Sequence, residues 1–272
     1  MYKLVVSDMD GTLLMNHRKI SEYNKKVIKE IIKKGVIFVL ATGRLYSSAR
    51  IYAKQLELNT PIIACNGGII RNSLDKKILF DAPIEKTSCV QVFDLLKSTD
   101  TYFHFYGADT FYTEKVRNES FRYSKWNATL PEEDKIDIQE IDDVYEVFEK
   151  DNVYKILIHL DKNLRKNFYV NELNKISNIT ITSSWHDNLE ICGKNVNKGN
   201  AVKRFSQQLN ILPHEIICIG DNLNDLSMIE YAGLGIAMDN AEEEVKKAAD
   251  YIAPAHDADG VGKVLEKFIL SV

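Results

Sequence analysis

Unbroken apolar runs alternate with helical-period stretches at both ends of the chain, and the middle is patterned differently. Leu4-Val5-Val6, Val36-Ile37-Phe38-Val39-Leu40 and Pro61-Ile62-Ile63-Ala64-Cys65 carry no polar interruption, as expected of strands buried on both faces. Between them, residues 21–34 set Tyr23, Val27 and Ile31 at helical spacing, with Ser21 as N-cap and Gly35 as stop. Residues 46–57 repeat the pattern, which gives βαβαβ. The same grammar returns near the carboxyl end: helices over 198–210, 223–231, 241–249 and 261–269 enclose strands over 216–219, 234–237 and 251–252. Nearly unbroken strands joined by helices predict a parallel sheet covered on both sides.

Between these pieces the strand signals, at 102–106, 154–160 and 179–183, alternate polar with apolar. Period-two strands predict a sheet with one exposed face. Helical patterns intervene at 89–96, 144–148 and 164–173. The expected architecture is α/β: a Rossmann-like doubly wound core from residues 1–83 and 189–272, with an inserted α+β domain over 84–188. The aromatic cluster Tyr102, Phe103, Phe105, Tyr106, Phe111 and Tyr112 is read mainly as packing.

Composition changes this picture little. The 272 residues are 45% hydrophobic and 27% charged, ordinary for a globular chain, and the net charge of −4 offers no footprint for nucleic acid or an anionic membrane. No run approaches the roughly 18 apolar residues of a membrane span, and no targeting segment is visible. Cys65, Cys89, Cys192 and Cys218 show no C-x-x-C spacing, and three lie in apolar runs, which fits a reducing cytoplasm. Oligomeric state is not legible, and a homo-oligomer stays compatible with the chain.

Chemistry concentrates where strands end. Asp8 and Asp10 follow the first apolar run, and in extended backbone residues i and i+2 point the same way. Two carboxylates held together resist joint ionisation, which a cation or a shared proton relieves; a plain Asp-Gly turn is the alternative. Thr42-Gly43-Arg44 follows the second strand and could hold an anion on its hydroxyl and amides. Lys198-Gly199 opens a helix, against the macrodipole preference. Gly220-Asp221-Asn222-Leu223-Asn224-Asp225 follows the strand over 216–219 and crowds two carboxylates and amides into one turn. Hard oxygen donors of this kind suit Mg²⁺.

The motifs D-M-D-G-T-L (8–13), T-G-R (42–44), K-G (198–199) and G-D-N-L-N-D (220–225), taken in order, resemble the haloacid dehalogenase superfamily. Spacing, together with Cys65-Asn66-Gly67-Gly68, is similar to its Cof-type phosphatases, which carry a type IIB cap inserted after the third strand. Ser7 and Asn195-Val196-Asn197 depart from the usual pattern without removing a functional group. The resemblance implies Asp8 as nucleophile forming an aspartyl-phosphate and Asp10 as general acid and base. It further implies phosphoryl binding by Thr42, Gly43, Lys198, the Met9 amide and Asn224, with Asp225 orienting Lys198. Mg²⁺ would be held by Asp8, the Asp10 carbonyl and Asp221.

The expected activity is therefore Mg²⁺-dependent hydrolysis of phosphate monoesters of small metabolites, sugar phosphates or similar, in the cytoplasm. By the same resemblance, an aspartate at position 10 favours hydrolysis over a stable phosphoenzyme. A phosphotransferase or mutase of the same fold is the enzymatic alternative, and a phospho-ligand-binding regulator the non-enzymatic one. For selectivity the candidates are Tyr106, Trp185, His186 and Asn188, at predicted strand ends or turns; the resemblance places Arg44 and Asn66 near the pocket without an assigned role.

Overall fold

The computed structural model describes residues 1–16, 18–99, 101–160, 166–185 and 187–271. His186 and the first positions of the helix expected over 164–173 lie outside the described residues. The chain begins β1 (Leu4–Ser7), α1 (Glu22–Lys33), β2 (Ile37–Ala41), α2 (Tyr46–Gln55), β3 (Pro61–Ala64), β4 (Ile69–Asn72) and β5 (Ile78–Asp81). An insertion follows: α3 (Lys86–Lys97), β6 (Phe103–Tyr106), β7 (Thr110–Thr113), α4 (Asn118–Asn127), β8 (Asp137–Glu140), α5 (Val144–Lys150), β9 (Lys155–His159), α6 (Lys166–Leu173), β10 (Ile179–Thr182) and β11 (Asn188–Gly193). The chain closes with α7 (Lys198–Gln208), β12 (Ile216–Gly220), α8 (Leu226–Tyr231), β13 (Leu234–Met238), α9 (Glu243–Ala248), β14 (Tyr251–Ala253) and α10 (Gly260–Leu265).

The core sheet runs β14-β13-β12-β1-β2-β3-β4-β5, parallel up to β3. Its apolar strands are buried on both faces, as their unbroken sequence requires. Val5 of β1 packs with Val27, Ile28 and Ile31 of α1 and Val261 and Val264 of α10. Its neighbours Leu4 and Val6 join Ala201, Val202 and Phe205 of α7 on the opposite face. Burying each such side chain contributes about 1.5–3 kcal/mol before the entropy of ordering the chain is subtracted. Ser21 caps α1 as expected, its hydroxyl accepting the Asn24 N–H at 3.0 Å.

Register decides where the loops meet. Ser7 pairs with Ile219 of β12 on one side and Leu40 of β2 on the other. The residues that follow, Asp8, Thr42 and Asp221, therefore leave the same edge of three adjacent strands. The chain turns in opposite directions on the two sides of β1, creating the crevice in which doubly wound sheets bind ligands.

The inserted sheet runs β10-β11-β9-β6-β7-β8 and is antiparallel apart from the β7–β8 pair. Phe103, Phe105, Ile156, Ile158, Leu189 and Ile191 point to one side, where Val92 and Phe93 of α3 and Phe148 of α5 cover them. The period-two pattern predicts solvent on the other side. Instead β6 is buried throughout, and the alternate residues Tyr102, Tyr106, Lys155, Leu157, His159, Asn188 and Glu190 line a cavity against the core. The polar half of the alternation is thus a second interface.

Six elements, β4, β5, β7, α4, β8 and β11, escape the sequence patterns. β5 and β8 are sheet edges, short and largely exposed, and edges are commonly made polar to discourage pairing with other chains. β4 pairs with β5 in a hairpin whose turn runs through Asp75 and Lys77, and α4 carries a polar sequence. The last strand of the inserted sheet extends to Gly193, past residue 188, because Leu189 and Ile191 belong to the apolar cluster under α3 and α5.

Candidate active site

Asp8 follows β1, and its amide donates to the Ile219 carbonyl at 2.9 Å. Gly11, at φ +79°, turns the chain back beside it; a Cβ at this position would overlap the Asp221 carboxylate. Thr12 Oγ1 donates to Asp221 Oδ1 at 2.8 Å, joining the loop after β1 to the loop after β12. In the second loop Asp225 folds back over Gly220, where a side chain would collide with it. Asp225 Oδ2 accepts the amides of Asp221 and Asn222 at 2.9 and 3.0 Å. Asp225 Oδ1 lies 2.5 Å from Lys198 Nζ, and Lys198 Nζ lies 2.5 Å from Asp8 Oδ1.

Lys198, at the first turn of α7, is wholly buried, and Asp8, Asp221 and Asp225 offer carboxylate oxygens within 4.8 Å of one another. Three buried carboxylates thus share one close cation. Burial pushes Asp8 up to about 7 against the pull of Lys198, with Asp225 and Asp10 adding to the rise. Burial and then Asp8 and Asp225 hold Asp221 well above the usual carboxylate range. Burial opposes charge on Lys198, but the two acids beside it outweigh burial and keep it protonated. The oxygens of Asp225 are already engaged by three donors, so Asp8 and Asp221 present the donors that best suit a further cation. An all-oxygen cluster of three carboxylates with a single close cation fits a hard divalent ion.

The raised acid has a stability consequence. Between the ordinary carboxylate range and about 7 the folded chain binds a proton at Asp8 that the unfolded chain has released. Stability from this group is therefore full at acid pH and falls as pH rises toward and through about 7. In chelator-treated protein, the melting temperature of the wild type relative to Asp8→Asn is expected to fall between pH 5.5 and 8. A constant difference would show that burial leaves Asp8 unperturbed.

The other expected residues gather at the same edge. Asp10 is forked by Arg44, with Nε to Oδ2 at 2.6 Å and Nη2 to Oδ1 at 2.5 Å; the Arg44 guanidinium lies over the rings of Tyr52 and Trp126. Thr42 is buried and its hydroxyl accepts the Arg44 amide at 3.1 Å. Met9 sends its side chain into the core. Asp8, Asp10, Thr42, Gly43 and Asn224 line a cavity of about 740 Å³ whose other wall is the inserted sheet with Tyr106, Trp185 and Asn188. Lys155 and Glu190, absent from the sequence-derived set, lie on that wall. Their signal was a single charge set between apolar neighbours, Lys155 before Ile156 and Glu190 between Leu189 and Ile191.

A family model of haloacid dehalogenase-like hydrolases matches residues 5–265. The chain belongs to this family. The hydrolase is 31% identical to the 5-amino-6-(5-phospho-D-ribitylamino)uracil phosphatase YcsE of Bacillus subtilis, covering 98% of this chain and 96% of that one. It is 24% identical to the pyridoxal phosphate phosphatase YbhA of Escherichia coli, over 98% and 99%. Among solved structures, a haloacid dehalogenase-like hydrolase from Bacteroides thetaiotaomicron superposes with a TM-score of 0.83 at 30% identity, over 99% and 100% of the two chains. The protein is an enzyme of the haloacid dehalogenase phosphatase type. Among the described residues no helix is long and apolar enough to cross a membrane.

Proposed function

We propose that this hydrolase is a Mg²⁺-dependent phosphatase of small phosphorylated metabolites that works through an aspartyl-phosphate on Asp8. The observation that carries the reading is the Asp8–Lys198–Asp225 chain, which sets a carboxylate that lines the cavity beside a buried cation. An Asp8 oxygen bonds to phosphorus as the ester P–O bond breaks, and Asp10 gives its proton to the departing alkoxide. Asp10 then takes a proton from water while the water oxygen bonds to phosphorus and the Asp8–phosphorus bond breaks. Inorganic phosphate leaves and Asp8 is restored. Lys198, Thr42, Asn224 and the amides of Met9 and Gly43 hold the phosphoryl oxygens, whose spread charge makes such donors the main catalytic contribution.

Asp8, Asp221 and the Asp10 carbonyl would hold Mg²⁺, whose charge, when bound, would offset the repulsion between carboxylate and phosphate. Chelation is expected to lower phosphate release at least ~100-fold and added Mg²⁺ to restore it; unchanged release after exhaustive chelation would rule the metal out.

The cavity is polar as well as aromatic, with Tyr102, Glu119, Arg122, His159 and Asp187 on its wall. It suits a hydrophilic ester, sugar phosphates or similar, and the type IIB cap reading assigns the selection to the inserted domain, over 84–188 as the sequence divides it. Phosphate release from an aryl phosphate, hexose phosphates, pyridoxal phosphate and 5-amino-6-(5-phospho-D-ribitylamino)uracil, with and without Mg²⁺, tests the reading. Transfer to a sugar in place of release would convert it to a phosphotransferase. The four cysteines are buried and free, which supports a cytoplasmic setting.

A further inference from the structure

Lys155 of β9 and Glu190 of β11 form an ion pair, Nζ to Oε1 at 2.6 Å, with side chains only 3% and 2% exposed. Removing two charges from water is expensive, and an interior pair persists where further hydrogen bonds satisfy both partners. Here those further bonds leave the inserted domain. Lys155 Nζ donates to the Gly43 carbonyl at 2.7 Å, and Glu190 Oε2 accepts from Asn66 Nδ2 at 2.6 Å. Ser184 Oγ completes the Glu190 set at 2.8 Å. These contacts offset burial enough that Glu190 stays below the usual carboxylate range.

The core partners are themselves constrained. Asn66 is buried with φ 56°, next to Cys65 at φ 51°, a left-handed pair outside glycine that aims the Asn66 amide inward. Asn66 Oδ1 accepts from Asn224 Nδ2 at 3.1 Å, and the Asn66 amide donates to the Thr42 carbonyl at 3.0 Å. Both carbonyls of the Thr42-Gly43 turn are thereby tied, one from the core and one from Lys155. The turn is tightly enclosed: a Cβ on Gly43 would lie 2.9 Å from Asn66 Oδ1 and 3.0 Å from Lys155 Nζ.

We infer that Lys155 and Glu190 are positioning residues for phosphoryl transfer, a cap-borne charge pair that fixes the Thr42-Gly43 turn and the Asn66–Asn224 amide pair around the phosphoryl group when cap and core meet. The inference rests on the phosphatase reading above. It has a signature that separates it from substrate selection. A pair acting through Gly43 and Asn224 bears on the phosphoryl group common to every ester, so its loss lowers turnover by one factor for all substrates. A residue that reads the leaving group changes the substrates unequally.

The test compares wild type, Lys155→Met, Lys155→Arg and the double variant Lys155→Met/Glu190→Gln, which leaves no unpaired buried charge and so preserves folding. Two quantities are read. They are kcat and KM on an aryl phosphate and a hexose phosphate, and calorimetric affinity for orthovanadate with Mg²⁺, a mimic of the five-coordinate phosphoryl group that needs no turnover. Expected are a fall in kcat of about 100-fold, the scale of a misplaced reacting group, equal on both esters and with KM within threefold. Vanadate affinity falls in parallel, Lys155→Arg recovers part of both, and the double variant is no worse than Lys155→Met. Folded variants with wild-type kcat and vanadate affinity, or with losses differing more than tenfold between esters, overturn the positioning role. Vanadate binding that depends on Lys155 in a wild type without turnover supports the positioning role and overturns the phosphatase reading; a wild type that neither binds vanadate nor turns over overturns both.

Discussion

Asp8→Asn is expected to reduce phosphate release by about 10⁵-fold or more, the scale seen when a catalytic nucleophile is removed, while the protein remains at least as stable as wild type. The first half follows from chemistry. An amide of the same shape cannot form the acyl phosphate, and Asp10, forked on Arg44, is not placed to substitute for it. The second half follows from electrostatics. Burial and two acidic neighbours oppose the ionised form of Asp8, with Lys198 only a partial counterweight, and asparagine removes that opposition without changing the volume. Lys198 keeps its 2.5 Å partner Asp225. Phosphate release measured beside a urea titration checks both halves. Turnover within tenfold of wild type would end the nucleophile assignment, whereas a large loss of stability would mean that Asp8 is chiefly a structural partner of Lys198.

The catalytic edge was legible because its signals are local and one-dimensional. A strand buried on both faces writes an unbroken apolar run, and a ligand loop at its end breaks that run abruptly with Asp8, Thr42 or Asp221. Parallel order then delivers the three loops to one edge, and the pairing of Ser7 with Leu40 and Ile219 brings them level. The wall contributed by the inserted sheet was legible only in part, through Tyr106, Trp185 and Asn188, for the converse reason. Lys155 and Glu190 alternate with apolar residues in a pattern equally suited to solvent, and sequence does not say what faces the polar side. Only the docking of two sheets turns a solvated-looking lysine into one that reaches the Gly43 carbonyl. Asn66 stood in a recognisable stretch yet had no role to assign, since its function depends on a left-handed backbone and partners at positions 190 and 224.

Lys198→Met should lose both activity and stability, in contrast with the neighbouring substitution at Asp8. Lys198 is wholly buried and bridges Asp8 and Asp225; methionine fills the space and leaves two carboxylates together without their cation. Breaking a buried pair by deleting one partner costs about 3–5 kcal/mol, because the remaining charge stays desolvated. The loss should depend on pH in a definite direction. Lys198 is the main influence lowering Asp8, so without it Asp8 is protonated to higher pH. The penalty then shrinks toward acid and is largest above neutrality, where the carboxylates must ionise. Urea midpoints at pH 6 and pH 8 measure this, and the wild-type-to-variant gap is expected to widen at pH 8. Adding Asp225→Asn to Lys198→Met removes one of the orphaned charges and should recover stability without recovering turnover, since the phosphoryl group still lacks its buried cation. A double variant that regains turnover would show that the lysine serves the fold and not the reaction.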